Sequence, residues 1–176
     1  KYSVIVTAGG KNVAPAVLED RLRSHALVSQ CIVVGDEKPF VAAIVTLDPE
    51  ALPMWLKVAG KDESLTPADL MEDAEALAEI QGAVDEANKA VSDAEAIKKW
   101  VLVPDEWTEE AGQMTPSMKL KRGVVQKEYE AQIEGIQMTA RGSEKGGAAH
   151  LRLRGEMMAA IKKRNAEEST LLAKQR

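Results

Sequence analysis

Lys119, Lys121 and Arg122 stand within residues 112–125 (GQMTPSMKLKRGVV), a turn-rich, positively charged stretch that runs into an amphipathic segment. An ammonium on a loop among Thr, Ser and Met can settle on the charge that develops at a phosphate. That is the usual electrostatic aid to phosphoryl or adenylyl transfer. Composition alone favours the plainer alternative, three solvated cations. A second stretch, Gly9-Gly10-Lys11-Asn12, follows a strand and precedes a helix, where backbone amides can hold phosphates. It has the spacing of neither a P-loop nor a dinucleotide fingerprint, and a plain tight turn explains it better. The carboxylates between Asp62 and Glu110 have no metal or acid–base spacing and read as a solvated face. One Cys and two His make a structural zinc site improbable, and no Ser-His-Asp or Cys-His arrangement can be assembled. No metal ligand is therefore expected.

The elements that must position these residues follow from pattern. Residues 2–7 (YSVIVT) form a β-branched run, hence a strand that ends in the Gly-Gly turn. Pro15 opens a helix whose apolar face uses Val17, Leu18 and Leu22. Residues 28–35 and 40–47 are two strands that should pair as an antiparallel hairpin. A short helix reaches Val58, and a longer one spans 67–91, with Leu70, Ala74, Leu77, Val84 and Ala87 at three- and four-residue steps. Residues 99–103 give a third strand, and 104–110 an acidic loop. A helix over 121–136 follows, with Thr115 and Ser117 supplying turn and N-cap chemistry. The fold class is α+β: a strand and Gly-rich turn, then a small three-stranded sheet flanked by helices.

The chain of 176 residues carries a formal charge of −5, unevenly spread. Residues 1–137 hold 14 Lys and Arg against 24 Asp and Glu, a net of −10; residues 138–176 hold 9 against 4, a net of +5. The acidic body argues against nonspecific nucleic-acid binding. Cys31, the one cysteine, lies in an apolar run and reads as a buried inert thiol in a reducing cytoplasm. Residues 141–147 (RGSEKGG) read as a flexible linker and 150–175 as a basic tail, frayed or helical, that could touch a partner or a membrane surface. The chain opens on a strand with no Met, which suggests a piece cut from something larger.

Three segments together carry a family resemblance. Residues 4–15 (VIVTAGGKNVAP) look like the hinge-proximal motif of the adenylate-forming enzymes, in the form used by long-chain fatty-acyl-CoA synthetases. Ala87-Asn88-Lys89, with Glu95–Lys99 and Leu102, is similar to the segment before that family's last strand. Thr115-Pro116-Ser117-Met118-Lys119-Leu120-Lys121-Arg122 resembles its C-terminal lysine motif. The family's hinge position falls on Tyr2.

The resemblance covers residues 1–137 and implies the mobile C-terminal subdomain of a long-chain fatty-acid–CoA ligase, with 138–176 as an added tail. It implies a two-step reaction: fatty acid and Mg-ATP give acyl-adenylate and pyrophosphate, then CoA gives acyl-CoA and AMP. Lys119 would bridge carboxylate and phosphate oxygens during adenylation. Gly9, Gly10 and Lys11 would form the loop that turns into the site for thioester formation, and Lys121 and Arg122 would contact phosphates or the N-terminal subdomain. ATP, CoA and Mg would all require that N-terminal adenylation subdomain, the implied partner. Two rivals stay open: a stand-alone binding module of this fold, and another acid–CoA or acid–carrier-protein ligase. All these roles require residue 119 to lie at the surface.

Overall fold

In the computed structural model the described residues are 3–138, together with Thr170, Ala173 and Lys174, which are helical. The expectations for Tyr2 and, those three residues aside, for the linker and basic tail lie outside the described residues. The element order is β1 (Ile5–Val6), β2 (Asn12–Val13), α1 (Pro15–Arg23), β3 (Val28–Val34), β4 (Val41–Leu47), α2 (Leu52–Val58), α3 (Pro67–Leu70), α4 (Ala74–Asn88), β5 (Ile97–Val103), α5 (Arg122–Glu128) and α6 (Glu130–Met138).

The α+β class and the three-stranded sheet are as expected. β3 and β4 pair antiparallel, with Ile32 opposite Ile44 and Val34 opposite Ala42. β5 joins the other side of β4 in parallel, Ala43 opposite Trp100 and Val45 opposite Leu102. A parallel neighbour needs a crossover, and α2, α3 and α4 supply it. Strand side chains alternate between faces, so two cores form. Cys31, Val33, Ala43, Val45 and Leu102 face Leu18 and Leu22 of α1 and Ile80 and Val84 of α4. Ile32, Val34, Ala42, Ile44, Val101 and Val103 face Met114, Val125, Tyr129, Ile133 and Ile136. The sheet is covered on both sides, which is why β3 and β4 read as continuous apolar runs. Leu18 and Leu22 are fully buried, and each contributes about 1.5–3 kcal/mol by leaving water.

Several boundaries differ from expectation, each for a local reason. Within residues 3–7 the expected strand covers Ile5–Val6, and it gains a partner, Asn12–Val13, with Ile5 opposite Val13 and Val6 opposite Asn12. The helix over 67–91 is two helices. α3 ends at Leu70, and Asp73 caps α4 by accepting from the amides of Glu75 at 3.1 Å and Ala76 at 3.0 Å. The helix over 121–136 also breaks: Tyr129, at φ −105° and ψ 20°, joins α5 to α6 and buries its ring. β5 begins two residues earlier than expected because Asn88, at the end of α4, pins Ile97. Its amide donates to the Ile97 carbonyl at 3.0 Å and accepts from the Ile97 N–H at 2.8 Å.

Asp73 also accepts from Lys61 Nζ at 2.9 Å, and that hydrogen bond, before the capping amides, holds its carboxyl below the usual range. A depressed folded pKa contributes stability above the unfolded value that fades as pH falls through the folded one. Asp73→Ala should therefore lower unfolding free energy by about 1 kcal/mol at neutral pH. Urea titrations of the two proteins should show the gap narrowing below pH 4.

Candidate functional site

Lys119 lies at the surface, on a turn whose base is buried. Met114 and Leu120 form an isolated antiparallel bridge, and the turn between them is closed by three hydrogen bonds. The Thr115 N–H donates to the Lys119 carbonyl at 2.8 Å, the Met118 N–H to the Thr115 carbonyl at 2.9 Å, and the Lys119 N–H to Thr115 Oγ1 at 3.0 Å. Met118 takes φ 61° so that the chain can reverse. Thr115 thus spends its hydroxyl inside the turn. The expected N-cap is not made: Lys121 precedes α5 with no side-chain cap.

The support beneath this turn comes from Met114 and Gln113 just before it and from residues farther off that the sequence does not mark for chemistry. Met114 is 1% exposed and sits in the second core. The Gln113 carbonyl accepts from the Lys121 N–H at 2.7 Å, and its side chain bridges the Thr108 N–H at 3.1 Å to Glu128 at 3.0 Å. Behind them Trp107 donates to Tyr129 Oη at 3.1 Å, and Tyr129 donates to Asp105 at 2.6 Å. Burial, then the bond to Asp105, pushes the Tyr129 phenol well above its ordinary pKa, so it stays a donor. The long gap in sequence between these partners hides the arrangement from any local pattern.

The Gly-rich turn repeats the construction of the lysine turn. The Thr7 N–H donates to the Lys11 carbonyl at 3.0 Å, the Gly10 N–H to the Thr7 carbonyl at 2.8 Å, and the Lys11 N–H to Thr7 Oγ1 at 3.1 Å. Gly10 takes φ 81° at the position where the other turn has Met118. Both are hairpins with three-residue loops and one left-handed residue. Both end on an exposed lysine. A Cβ on Gly9 would meet only Thr7 Oγ1, at 4.0 Å, and one on Gly10 would meet nothing within 4 Å. The bare backbone at Gly9 therefore answers no internal crowding; its open side faces outward. The Ser92 hydroxyl first, and the Lys11 charge among lesser causes, keeps the Glu95 carboxyl below the usual range.

Lys121 is exposed, while Arg122 turns inward. Its Nη1 donates to the Val33 carbonyl at 3.0 Å and its Nη2 to Glu19 Oε1. Glu19 Oε2 in turn accepts from the Val33 N–H at 2.8 Å. β3 is an edge strand, so the carboxylate and the guanidinium take the place of a missing neighbour strand on both polar groups of Val33. Burial pushes the Glu19 carboxyl up, and the Arg122 charge opposes that shift. This pair joins α1, which carries the Gly-rich turn, to α5, which carries the lysine turn. Among the described residues no hydrogen bond links the two turns directly. Cys31 is fully buried and donates its thiol to the Glu19 carbonyl at 3.6 Å; burial, and after it the nearby Glu19 charge, pushes the thiol up to about 12, as an inert cysteine should be.

A family model described as the AMP-binding enzyme C-terminal domain matches residues 3–140. The chain is 52% identical over 136 residues to the long-chain-fatty-acid–CoA ligase FadD15 of Mycobacterium tuberculosis, covering 77% of this chain and 23% of that protein. It is 34% identical over 148 residues to the long-chain-fatty-acid–CoA ligase ACSBG2 of Gallus gallus, covering 74% and 19%. The chain thus spans about a fifth to a quarter of the length of these relatives. Among solved structures, the A domain of carboxylic acid reductase from Segniliparus rugosus, in complex with AMP and a co-purified carboxylic acid, shares the fold. The TM-score is 0.60 at 21% identity, covering 78% of this chain and 20% of that one.

Proposed function

We propose that this chain, which belongs to the AMP-binding enzyme C-terminal domain family, is the mobile lid of a long-chain fatty-acid–CoA ligase. Residues 1–137 would form the lid and 138–176 a basic linker and tail. The lid closes on an N-terminal adenylation subdomain that carries the ATP and acyl sites. The 52% identity to a long-chain-fatty-acid–CoA ligase supports this reading.

The observation that carries the proposal is the exposed Lys119 on a turn with a buried base. Adenylation brings a fatty carboxylate to the α-phosphate of ATP, and two anions must approach. An ammonium held between them lowers that repulsion and stabilises the charge of the transition state. A rigid turn holds its lysine backbone without later reorganisation, while the flexible stem lets Nζ reach a facing surface. In the second step the Gly-rich turn faces the site instead, and its uncrowded backbone lets CoA pass close by. Lys121 would contact the N-terminal subdomain or a phosphate; Arg122 would act from within, by holding α5. Magnesium would enter with ATP on the N-terminal subdomain; among the described residues no group of three His, Cys, Asp or Glu could hold a metal ion. No helix among the described residues is long and apolar enough to cross a membrane.

The test is stoichiometry in the full-length protein. With palmitate, ATP and CoA it should release one AMP and one pyrophosphate per acyl-CoA, and excising residues 1–137 should abolish both half-reactions. Turnover that survives the excision, or no thioester product from the intact protein, would overturn the proposal.

A further inference from the structure

Resting on the lid role proposed above, we infer that Lys11 is a second anion-contacting lysine, presented to a phosphate during thioester formation as Lys119 is during adenylation. The observation is the repetition of one turn. Thr7-Ala8-Gly9-Gly10-Lys11 and Thr115-Pro116-Ser117-Met118-Lys119 share all three closing hydrogen bonds, with lengths agreeing within 0.2 Å. Both place a left-handed residue just before the lysine, at φ 81° and 61°. Only the threonine and the lysine are common to the two sequences.

That pattern is informative because the shape does not follow from composition. One turn is built on two glycines and the other on Pro-Ser-Met. What the two keep is the threonine hydroxyl that fixes the lysine N–H, and hence the direction in which each lysine leaves the backbone. In both, the flanking residues pair across the hairpin: Val6 with Asn12 in one, Met114 with Leu120 in the other. Thr7 is 8% exposed, so its hydroxyl is held in place, while Lys11 itself is exposed. Two turns of one construction thus offer one kind of group, an ammonium on a fixed base.

Thioester formation has a use for such a group. The CoA sulfur, having released its proton to water, bonds to the acyl carbonyl carbon. The bond from that carbon to the phosphate oxygen breaks, and AMP departs with the electron pair. Charge grows on the departing phosphate, and CoA itself brings further phosphates; either is an anion that Lys11 can meet.

The experiment uses the full-length enzyme with Lys11→Ala, Lys11→Arg, Thr7→Ala, Thr7→Ser and Lys119→Ala. Adenylation is read by pyrophosphate exchange, and thioester formation from supplied acyl-adenylate is read with CoA or with phosphate-free pantetheine. Lys11→Ala should slow the thioester step by about 10²-fold and leave exchange within about twofold, with Lys11→Arg restoring most of the rate. Thr7→Ala should give a smaller loss of the same step, and Thr7→Ser should restore it. If the Lys11→Ala defect persists with pantetheine, the departing AMP phosphate is the ligand; if it vanishes, the phosphates of CoA are. Either result supports the inference. An unchanged thioester rate, or equal loss of both steps, overturns it. Lys119→Ala separates the two levels: exchange that survives that change overturns the lid role itself, whatever Lys11 does.

Discussion

In the full-length enzyme, Lys119→Ala is expected to slow acyl-adenylate formation by about 10²- to 10³-fold, the usual loss when one preorganised donor to a developing oxyanion is removed. Thioester formation from supplied adenylate should proceed near the parental rate. The contrast follows from where the lysine sits. Its side chain is exposed, and the hydrogen bonds of its turn use its backbone and Thr115. Removing the ammonium therefore leaves the turn standing, and the protein should unfold at an unchanged urea midpoint. Lys119→Arg keeps the charge but spreads it over a planar fork, so it should recover only part of the rate. Pyrophosphate exchange and single-turnover thioester assays on the same preparations decide the matter. Equal loss of both steps would remove Lys119 from the role assigned to it.

The second large effect is on stability. Arg122→Ala should lower unfolding free energy by about 3 kcal/mol, because it strands a buried partner. Glu19, at 4% exposure, would keep only the Val33 N–H, and the Val33 carbonyl would lose its donor. Arg122→Lys should rescue little, since one ammonium cannot serve a carboxylate and a carbonyl in the plane of the strand edge. The pH dependence has a definite sign. Burial already raises the Glu19 pKa above its ordinary value, and Arg122 holds that rise down. A raised folded pKa gives stability that is present below the unfolded pKa and is lost as pH rises through the folded one. Without Arg122 the rise is larger, so the penalty should be greatest at neutral pH and shrink toward pH 4. Urea unfolding across that range tests it, and a penalty independent of pH would mean that Glu19 is not ionised in the fold.

The comparison of these two residues shows what a sequence can and cannot disclose. The exposed turn that carries Lys119 is legible because Thr-Pro-Ser and a following apolar periodicity lie within a dozen residues, whereas the role proposed for its ammonium comes from the family resemblance alone. The strands were legible because β-branched runs buried on both faces leave a strong local mark. Arg122 looked from its neighbours like another outward cation, yet its partner lies 103 residues away in α1. The breaks at Asp73 and Tyr129 were equally hidden. Apolar spacing continues through both, and a capping carboxylate or a buried phenol ends a helix without interrupting that spacing. The kinship of the two turns was least visible, since their sequences share two residues of five and the likeness resides in backbone hydrogen bonds.

The three tryptophans of the chain fall on opposite sides of the sheet. Trp55 and Trp100 pack beside the α1–α4 core, whereas Trp107 is buried with Tyr129 under the lysine turn. The molecule therefore carries its own fluorescent gauge for each layer. Within this chain, Trp107 becomes the single emitter when the other two are replaced with phenylalanine, and its emission would follow the seating of the lysine turn without an attached dye.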